Sequence, residues 1–313
     1  MPKKKKGDAV HGWVVLDKPS GITSTQAVAQ VRRIFNAQKA GHAGTLDPLA
    51  TGILAIALGE ATKTVPFAQD AAKIYRFTAT WGESRDSDDS EGKVTATSDM
   101  RPTQAAIEAV LPSFTGALTQ VPPAYSAIKV QGERAYDLAR EGKEPDLQPR
   151  PVMVHEARLV EAETGQAVFE ILCGKGTYVR SWVRDIARAL GTLGHVSQLR
   201  RTRIGGFLEK DAVGLETLTP LLHSPAAFAY LKPISTALDG IPALAVTGSD
   251  AARIRSGNPI LIRANLFARM KDGFADDGGL QGQTVFLTEE AGAPVALAEI
   301  AEGELRPFRV FQL

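Results

Sequence analysis

The chain has 313 residues, which is enough for one large domain and one small domain. Hydrophobic residues make up 44% and charged residues 23%, so the composition is ordinary for a soluble globular protein. The formal net charge of +1 argues by itself against a strongly basic nucleic-acid binder, although local charge density matters more than the sum.

The first part of the chain alternates strand-like and helix-like patterns. Residues 12–16 and 74–81 are rich in β-branched and aromatic side chains, which predicts two strands. Ser24 or Thr25 is placed to cap a helix with an apolar stripe at helical spacing. For the acidic run 82–92, which contains serine and glycine, we expect a mobile surface hairpin or loop without a catalytic role.

Between the two strands, residues 41–52 read Gly-His-Ala-Gly-Thr-Leu-Asp-Pro-Leu-Ala-Thr-Gly. This stretch places one carboxylate, Asp47, between glycines that allow close approach of the backbone and Pro48, which fixes φ. Such a loop can hold Asp47 in a chosen orientation. For an isolated Asp-Pro pair, the alternative is a turn in which Asp47 caps a backbone N–H.

Residues 120–150 are predicted to leave the core of the fold. Prolines near both ends stop regular structure, and a short helix is expected over 135–140. An ordinary proline-bounded loop is the alternative. The cations available to phosphates in this segment are Lys129, Arg134, Arg140 and Lys143.

The lone cysteine, Cys173, excludes an intramolecular disulfide and disfavours both a secreted protein and a cysteine-rich zinc site. It lies in the apolar run 168–173, which predicts a buried strand position. No apolar run is long enough to span a membrane, and the lysine-rich start is not followed by the apolar region of a signal peptide. We therefore expect a cytoplasmic protein with no membrane partner.

A helix with one buried face is predicted over 179–190. Its apolar residues recur at helical spacing, while Arg180, Arg184 and Arg188 recur every fourth residue on another face. This cationic ridge is suited to phosphates or to a catalytic carboxylate. Arg180 directly follows a glycine-rich loop, so it is best placed to reach a cleft; a plain surface role is the alternative.

Short strand-like runs separated by glycine-rich turns occupy the last part of the chain, at 260–262, 284–287 and 308–311. The segment 253–259 is similar to the entry to a PUA-like RNA-binding β-domain. An unspecific small β-barrel is the competing interpretation.

Several of these segments together resemble the TruB family of bacterial tRNA pseudouridine-55 synthases. The twelve residues of 41–52 fit the signature loop of that family. The resemblance covers roughly residues 10–210 and is weak beyond about residue 240. The other segments that carry it, in the expected order, are 12–24, 73–77, 120–129 and 176–180.

The resemblance implies an α+β fold with a mixed-sheet catalytic domain over 1–240, a thumb insertion at about 120–150, and a PUA-like domain over 241–313. It implies isomerisation of uridine 55 in the T-loop of tRNA to pseudouridine, by base flipping and without a cofactor. We expect a monomer that binds the T-arm and needs no obligate protein partner. The rival is a non-catalytic tRNA-binding or tRNA-folding protein.

The chemistry requires cleavage of the N1–C1′ bond, rotation of the base and attachment of C5, which a carboxylate can start. Asp47 is the catalytic candidate, and the family pattern favours its pairing with Arg180, which would orient the ionised carboxylate. Tyr75 can stack on the extruded base and reach the C5 proton. A glycoside hydrolase would usually need two carboxylates, and the motif holds no second acid.

Three further positions are carried over from the family as substrate-binding residues beside Tyr75. His42 is expected to fill the gap left by the flipped base, Tyr178 to contact the target nucleotide, and Leu199 to line the uracil pocket. No metal is expected, because the five histidines show no pair at metal-ligand spacing. The positions read as phosphate contacts are Arg200, Arg201 and Arg203.

Overall fold

The computed structural model describes residues 7–130, 132–143, 145–264, 266 and 280–313. The strands are β1 (Gly12–Lys18), β2 (Ala40–Ala43), β3 (Thr51–Leu58), β4 (Lys73–Trp81), β5 (Glu83–Arg85), β6 (Val94–Thr97), β7 (Gly116–Gln120), β8 (Lys129–Val130), β9 (Glu133–Arg134), β10 (Arg150–Ala162), β11 (Gln166–Cys173), β12 (Gly194–Ile204), β13 (Phe207–Leu208), β14 (Val213–Gly214), β15 (Leu231–Lys232), β16 (Ala243–Val246), β17 (Ile260–Leu261), β18 (Thr284–Glu289), β19 (Pro294–Ala301) and β20 (Glu304–Val310). The α-helices are α1 (Ser24–Ile34), α2 (Val65–Asp70), α3 (Gln104–Val110), α4 (Ala135–Arg140), α5 (Val179–Ala189), α6 (Leu215–Leu218) and α7 (Gly248–Arg255). Within the described residues, no helix is both long and apolar enough to cross a membrane.

Eleven of the described strands form one large sheet with the order β14-β1-β3-β12-β4-β11-β10-β7. Beside that path, β2 pairs with β3, β13 with β12 and β15 with β1. Most neighbours are antiparallel, whereas β12 runs parallel to β3 and β14 runs parallel to β1. The mixed sheet of the predicted fold class is therefore confirmed, and the strands predicted over 12–16 and 74–81 are β1 and β4.

Strand β3 is apolar throughout because both of its faces are buried. Leu54 and Ile56 lie in the core that also contains α1 and α5, whereas Ile53 and Ala55 lie in a second core on the opposite face. A strand covered on both sides is expected to show a continuous apolar run rather than an alternating one. The loop in front of β3, which contains Asp47, is thereby attached to the middle of the large sheet.

Helix α1 begins with a cap that differs from the expected one. Thr23, rather than Ser24 or Thr25, is the N-cap: its hydroxyl accepts a hydrogen bond from the Gln26 N–H at 3.1 Å. Gln26 Oε1 in turn accepts from the Thr23 N–H at 2.8 Å, which completes a capping box. The prediction was wrong because three consecutive hydroxyl residues could each cap, and only Thr23 has a glutamine three positions later.

Helix α5 packs its apolar face against β4 and β11, as the helical spacing predicted. The Trp182 ring centroid lies 5.5 Å from that of Phe77 and 5.2 Å from that of Phe169. Trp182 Nε1 donates to the Phe114 carbonyl at 3.1 Å. Cys173 is buried on β11, as expected. These contacts fix the position of α5 against the sheet and so the place where its first turn begins.

The segment between β7 and β10 leaves the sheet and returns to it at one position. Gln120, at the end of β7, pairs with Arg150, at the start of β10. The excursion contains the β8–β9 hairpin and α4, which spans the predicted helix. Two of its cations, Arg134 and Arg140, lie over the ring of Tyr136 at 5.7 and 5.5 Å. The predicted departure from the core is therefore present.

Strands from β16 onward form a second sheet with the order β16-β18-β19-β20-β17. The strand-like runs predicted in this part of the chain correspond to β17, β18 and β20. Phe286, Leu297 and Phe311 join the core behind β3, which also contains Trp13 and Ile53. The small C-terminal β-domain of the predicted fold class is thus present, and an apolar core is shared between the two sheets.

Candidate active site

The Asp47 loop joins β2 to β3 and is held by a side chain of α1. The Leu46 N–H donates to Ser24 Oγ at 2.8 Å, and Ser24 Oγ donates to the Leu46 carbonyl at 3.0 Å. Because Thr23 caps the helix, the buried Ser24 hydroxyl is free to bind the loop. In the described part of the chain, the Asp47 carboxylate accepts from a guanidinium and not from a backbone N–H, so the alternative of a simple capped turn does not apply.

Lys18 is a second support of the loop that the sequence did not reveal. Its side chain is fully buried, and Nζ donates to the carbonyls of Pro19 at 2.9 Å, Ile22 at 2.9 Å and Pro48 at 3.2 Å. Burial lowers the pKa of Lys18 to about 8, although the Asp47 carboxylate opposes this shift. One cation thus joins the turn after β1 to the turn that contains Asp47. The only signal in the sequence was its place in the Lys-Pro turn of the resemblance.

The predicted ion pair between Asp47 and Arg180 is present and involves two contacts. Arg180 Nε lies 2.9 Å from Asp47 Oδ2, and a terminal nitrogen donates to Oδ1 at 3.1 Å. The Arg180 side chain is 4% exposed and that of Asp47 is 31% exposed, so the carboxylate is held from the protein side and remains reachable. Burial raises the pKa of Asp47, whereas the Arg180 guanidinium lowers it and a nearby acid, Asp89, raises it further.

The acidic run 82–92 begins the β5–β6 hairpin, which is one of the two forms expected, but it is not a surface segment throughout. Arg180 donates to the Ser87 carbonyl at 2.9 Å and lies 3.5 Å from Asp89, and both acceptor residues are buried. Arg184 binds Asp88 at 2.7 Å. The expected surface placement was wrong for Asp88 and Asp89, because these two acids pair with buried arginines of α5 rather than facing water. The loop is part of the frame that holds Arg180.

Helix α5 consequently does not present a free cationic ridge. Arg180 and Arg184 are both neutralised by acids, and of the three arginines only Arg188 is largely exposed, at 67% of its side chain.

A second carboxylate, Asp89, does approach the site, although it lies outside the signature motif. Its side chain is 4% exposed and bound to Arg180, so it does not flank an open cleft as a hydrolase acid would.

Tyr75 lies on β4 with its hydroxyl directed at a buried arginine. Arg201 donates to the Tyr75 hydroxyl at 3.4 Å, and its guanidinium carbon lies 5.9 Å from the ring centroid. Burial raises the pKa of Tyr75, while the Arg201 charge lowers it. Nearby groups that also raise this pKa are Cys173 and, to a lesser extent, Asp47.

The other predicted site residues lie around this centre. His42 is half-buried on β2, and burial lowers its pKa, with the Arg201 charge acting in the same direction. Tyr178 precedes α5 and exchanges hydrogen bonds with Gln120, at 3.1 and 3.4 Å, where the excursion begins. Leu199 is 7% exposed on β12, beside the core. Their roles toward a substrate remain predictions.

The predicted phosphate contacts on β12 need correction. Arg201 is 1% exposed, so it cannot meet RNA phosphates. Arg200 is bound by both carboxylate oxygens of Asp17, at 2.9 and 2.8 Å, and by Glu209 at 2.6 Å. Of these three arginines, only Arg203 is exposed and has no ion pair with a described residue. Three arginines close in sequence thus have three different environments: Arg200 and Arg201 face opposite sides of the sheet, and a β-bulge between Arg201 and Arg203 changes the side that Arg203 faces.

An open cleft of about 630 Å³ lies beside the Asp47 loop. Leu49 and Leu199 line it, and polar side chains come from Arg76, Glu91 and Gln198. Neither Asp47 nor Tyr75 lines the cleft itself, although Leu49 and Arg76, close to them in the chain, do. The described residues contain no group of three or more histidine, cysteine or acidic side chains placed to hold a metal ion.

Two family models match consecutive parts of this chain. Residues 32–179 match the N-terminal domain of the TruB family pseudouridylate synthases, and residues 180–239 match the C-terminal domain of tRNA pseudouridylate synthase B. The chain belongs to the TruB family. The first match includes the Asp47 loop and the second begins at Arg180, so the ion pair joins the two matched regions.

Relatives of known name span the whole chain. A protein of Bradyrhizobium diazoefficiens, named tRNA pseudouridine synthase B, is 54% identical over 99% of this chain and 90% of its own length. A protein of Caulobacter sp. (strain K31) with the same name is 54% identical over all of both chains. The predicted family is therefore confirmed.

Solved structures support the fold. A chain of the archaeal box H/ACA sRNP Nop10–Cbf5 complex superposes with a TM-score of 0.71 at 24% identity, covering 96% of this chain and 86% of that one. A chain of a Cbf5–Nop10–Gar1 complex gives a TM-score of 0.68 at 25% identity, over 96% and 84%. The likeness extends across both sheets.

Proposed function

We propose that this chain converts uridine to pseudouridine in tRNA, and that its target is uridine 55 in the T-loop. The observation that carries the proposal is the partly exposed Asp47 carboxylate, which Arg180 orients through two contacts beside an open cleft. Family membership and the names of the relatives supply the tRNA substrate and the reaction class.

The reaction is an isomerisation, so its atoms must balance within one nucleotide. The N1–C1′ bond breaks, the base rotates, a C5–C1′ bond forms, and C5 loses its proton while N1 gains one. Asp47 starts this sequence as its ionised carboxylate, either by nucleophilic attack or by assisting departure of uracilate. Arg180 supports that role, because a bidentate guanidinium favours the charged form and fixes its orientation.

Four other residues of the site have the remaining roles in the proposed reaction. Tyr75 stacks on the extruded base. Its hydroxyl, whose pKa is raised by burial, reaches the C5 proton. Tyr178 contacts the target nucleotide and Leu199 lines the uracil pocket. His42 fills the gap left by the flipped base or holds the opened loop. Flipping a stacked base costs roughly a few kcal/mol.

The charge distribution beneath the loop suits an anionic substrate. Lys18, Lys73 and Arg201 are all buried, and none of them forms an ion pair among the described residues. Burial lowers the pKa of Lys73 to about 8. These cations bind backbone carbonyls and have no directly paired carboxylate among the described residues, so Asp47 and Glu91 oppose the charge of Lys18 only from a distance.

The proposal extends to the organisation of the protein. We assign catalysis to residues 1–240, with a thumb at about 120–150, and RNA contacts outside the T-arm to residues 241–313. The division is supported by the second sheet, which begins at Ala243. The protein acts in the cytoplasm as a monomer, with no cofactor and no obligate protein partner; light scattering on the free protein and its tRNA complex tests the stoichiometry.

An unmodified elongator tRNA transcript tests the proposed target. The protein alone should form one pseudouridine per transcript at position 55, mapped by chemical adduct formation and primer extension. A transcript with cytidine at that position should bind and remain unmodified. Binding of both transcripts without any pseudouridine would support the rival, a non-catalytic tRNA-binding protein.

A further inference from the structure

Arg201 is a buried cation in contact with two parts of the proposed site. Its Nε donates to the Ile53 carbonyl at 2.8 Å, and one terminal nitrogen donates to the Gly44 carbonyl at 2.9 Å. The other terminal nitrogen reaches the Tyr75 hydroxyl at 3.4 Å. One rigid guanidinium thus bridges the catalytic loop, strand β3 and the tyrosine on β4.

A charge in this position is costly. Removing an ion from water is unfavourable, and Arg201 has no acidic partner among the described residues to offset this. A methionine of similar length would fill the space without that cost. The guanidinium provides what an apolar side chain cannot, namely three donor nitrogens with a fixed planar geometry.

Two glycines of the signature loop approach Arg201 closely, Gly44 at its side chain and Gly52 at its backbone. A Cβ on Gly44 would lie 3.2 Å from an Arg201 terminal nitrogen, and a Cβ on Gly52 would lie 2.2 Å from the Arg201 carbonyl. Both glycines also have positive φ, at 81° and 93°. Gly44 and Gly52 thus allow this close approach, and their positive φ values would strain any other residue at these positions.

We infer that Arg201 is a positioning residue for the proposed reaction, which holds the Tyr75 ring at a fixed place relative to the Asp47 loop. The inference rests on the proposed function. Tyr75 is on β4 and Asp47 is in the loop before β3, and Arg201 contacts the former directly and the latter through Gly44. A shift of about 1 Å between reacting groups can reduce a rate by about 10²-fold.

A double-mutant cycle tests this inference through the rate. We expect Arg201→Met to reduce the single-turnover rate constant by about 10²-fold while tRNA affinity stays within a few-fold. If Arg201 acts through Tyr75, the same substitution made in Tyr75→Phe should cost less than about tenfold, because the two effects overlap. Equal costs in the two backgrounds would contradict the inference.

Two variants control for the loss of a guanidinium and for folding. Arg158→Met removes an exposed arginine that pairs with Glu170 on the same sheet, and it should leave the rate unchanged. Arg201→Lys keeps the charge but supplies a single donor group, so its rate should lie between those of the parent and Arg201→Met. A rate for Arg201→Lys equal to that of the parent would overturn the need for the planar fork.

Fluorotyrosine NMR tests the placement of Tyr75 without any turnover. The chain has five tyrosines, and the resonance of Tyr75 is identified by its loss in Tyr75→Phe. We expect Arg201→Met to shift or broaden that resonance and leave the others in place, whereas Arg158→Met should change none of the five. An unchanged Tyr75 resonance would overturn the inference even if the enzyme is active, and absence of pseudouridine in the parent would instead overturn the proposed function.

Discussion

At the scale of single residues, the Asp47 carboxylate has neighbours that act in opposite directions on its pKa. Burial and Asp89 raise that pKa, whereas Arg180 and Lys18 lower it. Because the proposed chemistry needs the ionised form, the reaction rate should fall as the pH drops through the pKa of Asp47 in the folded enzyme. That point lies above the ordinary value of 3.8.

The acidic limb of the profile of reaction rate against pH should shift when a charge near Asp47 is removed. Asp89→Asn removes a like charge that raises the pKa of Asp47, so the limb should move to lower pH, even if the plateau also falls because Arg180 loses a partner. Single-turnover rates across the acidic range measure it. Asp86→Asn, an exposed acid in the same loop, is the matched control and should not move the limb. A limb that stays in place in Asp89→Asn would contradict this electrostatic account.

Arg180→Lys is expected to be far from conservative. A lysine keeps the charge, but its single ammonium cannot replace the contacts to Asp47, Ser87 and Tyr125 at once. The single-turnover rate constant should fall by about 10²-fold or more. Arg184→Lys, four residues further along α5, should slow the reaction much less, although it weakens a buried pair with Asp88. If Arg180→Lys and Arg184→Lys reduce the rate constant equally and only slightly, Arg180 has no specific catalytic role.

Asp47 and Arg180 could be recognised from the sequence because each lies in a short motif with an unusual local pattern. Arg201, Asp89 and Lys18 could not, since their importance comes from burial and from partners far away in the chain. Arg201 contacts Gly44, 157 positions away, and Arg180 contacts Ser87, 93 positions away. A basic cluster in a sequence does not reveal which of its members will be buried.

At the scale of elements, helix α1 has a role that its helical pattern does not show. Its first residue, Ser24, satisfies both the N–H and the carbonyl of Leu46 and so holds the loop that carries Asp47. The pattern predicted the helix and its buried stripe correctly, because these follow from local spacing. It could not distinguish between neighbouring hydroxyls, one of which caps the helix while another binds a loop more than 20 positions away.

Ser24→Ala should therefore destabilise the protein. The substitution leaves two buried backbone groups of Leu46 without partners, which should cost about 1–3 kcal/mol in the free energy of unfolding. Urea denaturation measures the loss. Thr25→Ala, on the exposed side of the same turn, should change stability by less than about 0.5 kcal/mol. Similar values for the two variants would show that the Ser24 contacts are not needed to hold the loop.

At the scale of the whole molecule, the two sheets are not independent. Phe286, Leu297 and Phe311 of the C-terminal sheet complete the core behind β3. The sequence predicted strands in this region from their short apolar runs and glycine-rich turns. It did not predict this shared core, because packing between distant strands leaves no local pattern.

Removal of residues 245–313 should consequently have two effects. The exposed core behind β3 should lower the melting temperature, and loss of RNA contacts should weaken binding of full-length tRNA more than binding of a T-arm hairpin. Affinities should be compared well below the reduced melting temperature and at fixed salt, since phosphate contacts are salt-dependent. An equal loss for both RNAs would mean that the C-terminal sheet supports the fold and does not contact RNA.

If Asp47 starts an isomerisation of uridine, tritium release from tRNA labelled at uridine C5 should depend on its carboxylate. The parent protein should release the label from one uridine per tRNA, without free uracil. Asp47→Asn keeps the shape and removes the charge, so release should fall by about 10³-fold or more while tRNA affinity stays within a few-fold. Asp70→Asn, an exposed acid bound to Lys175, should behave like the parent. Free uracil as product, or full tritium release by Asp47→Asn, would contradict the account.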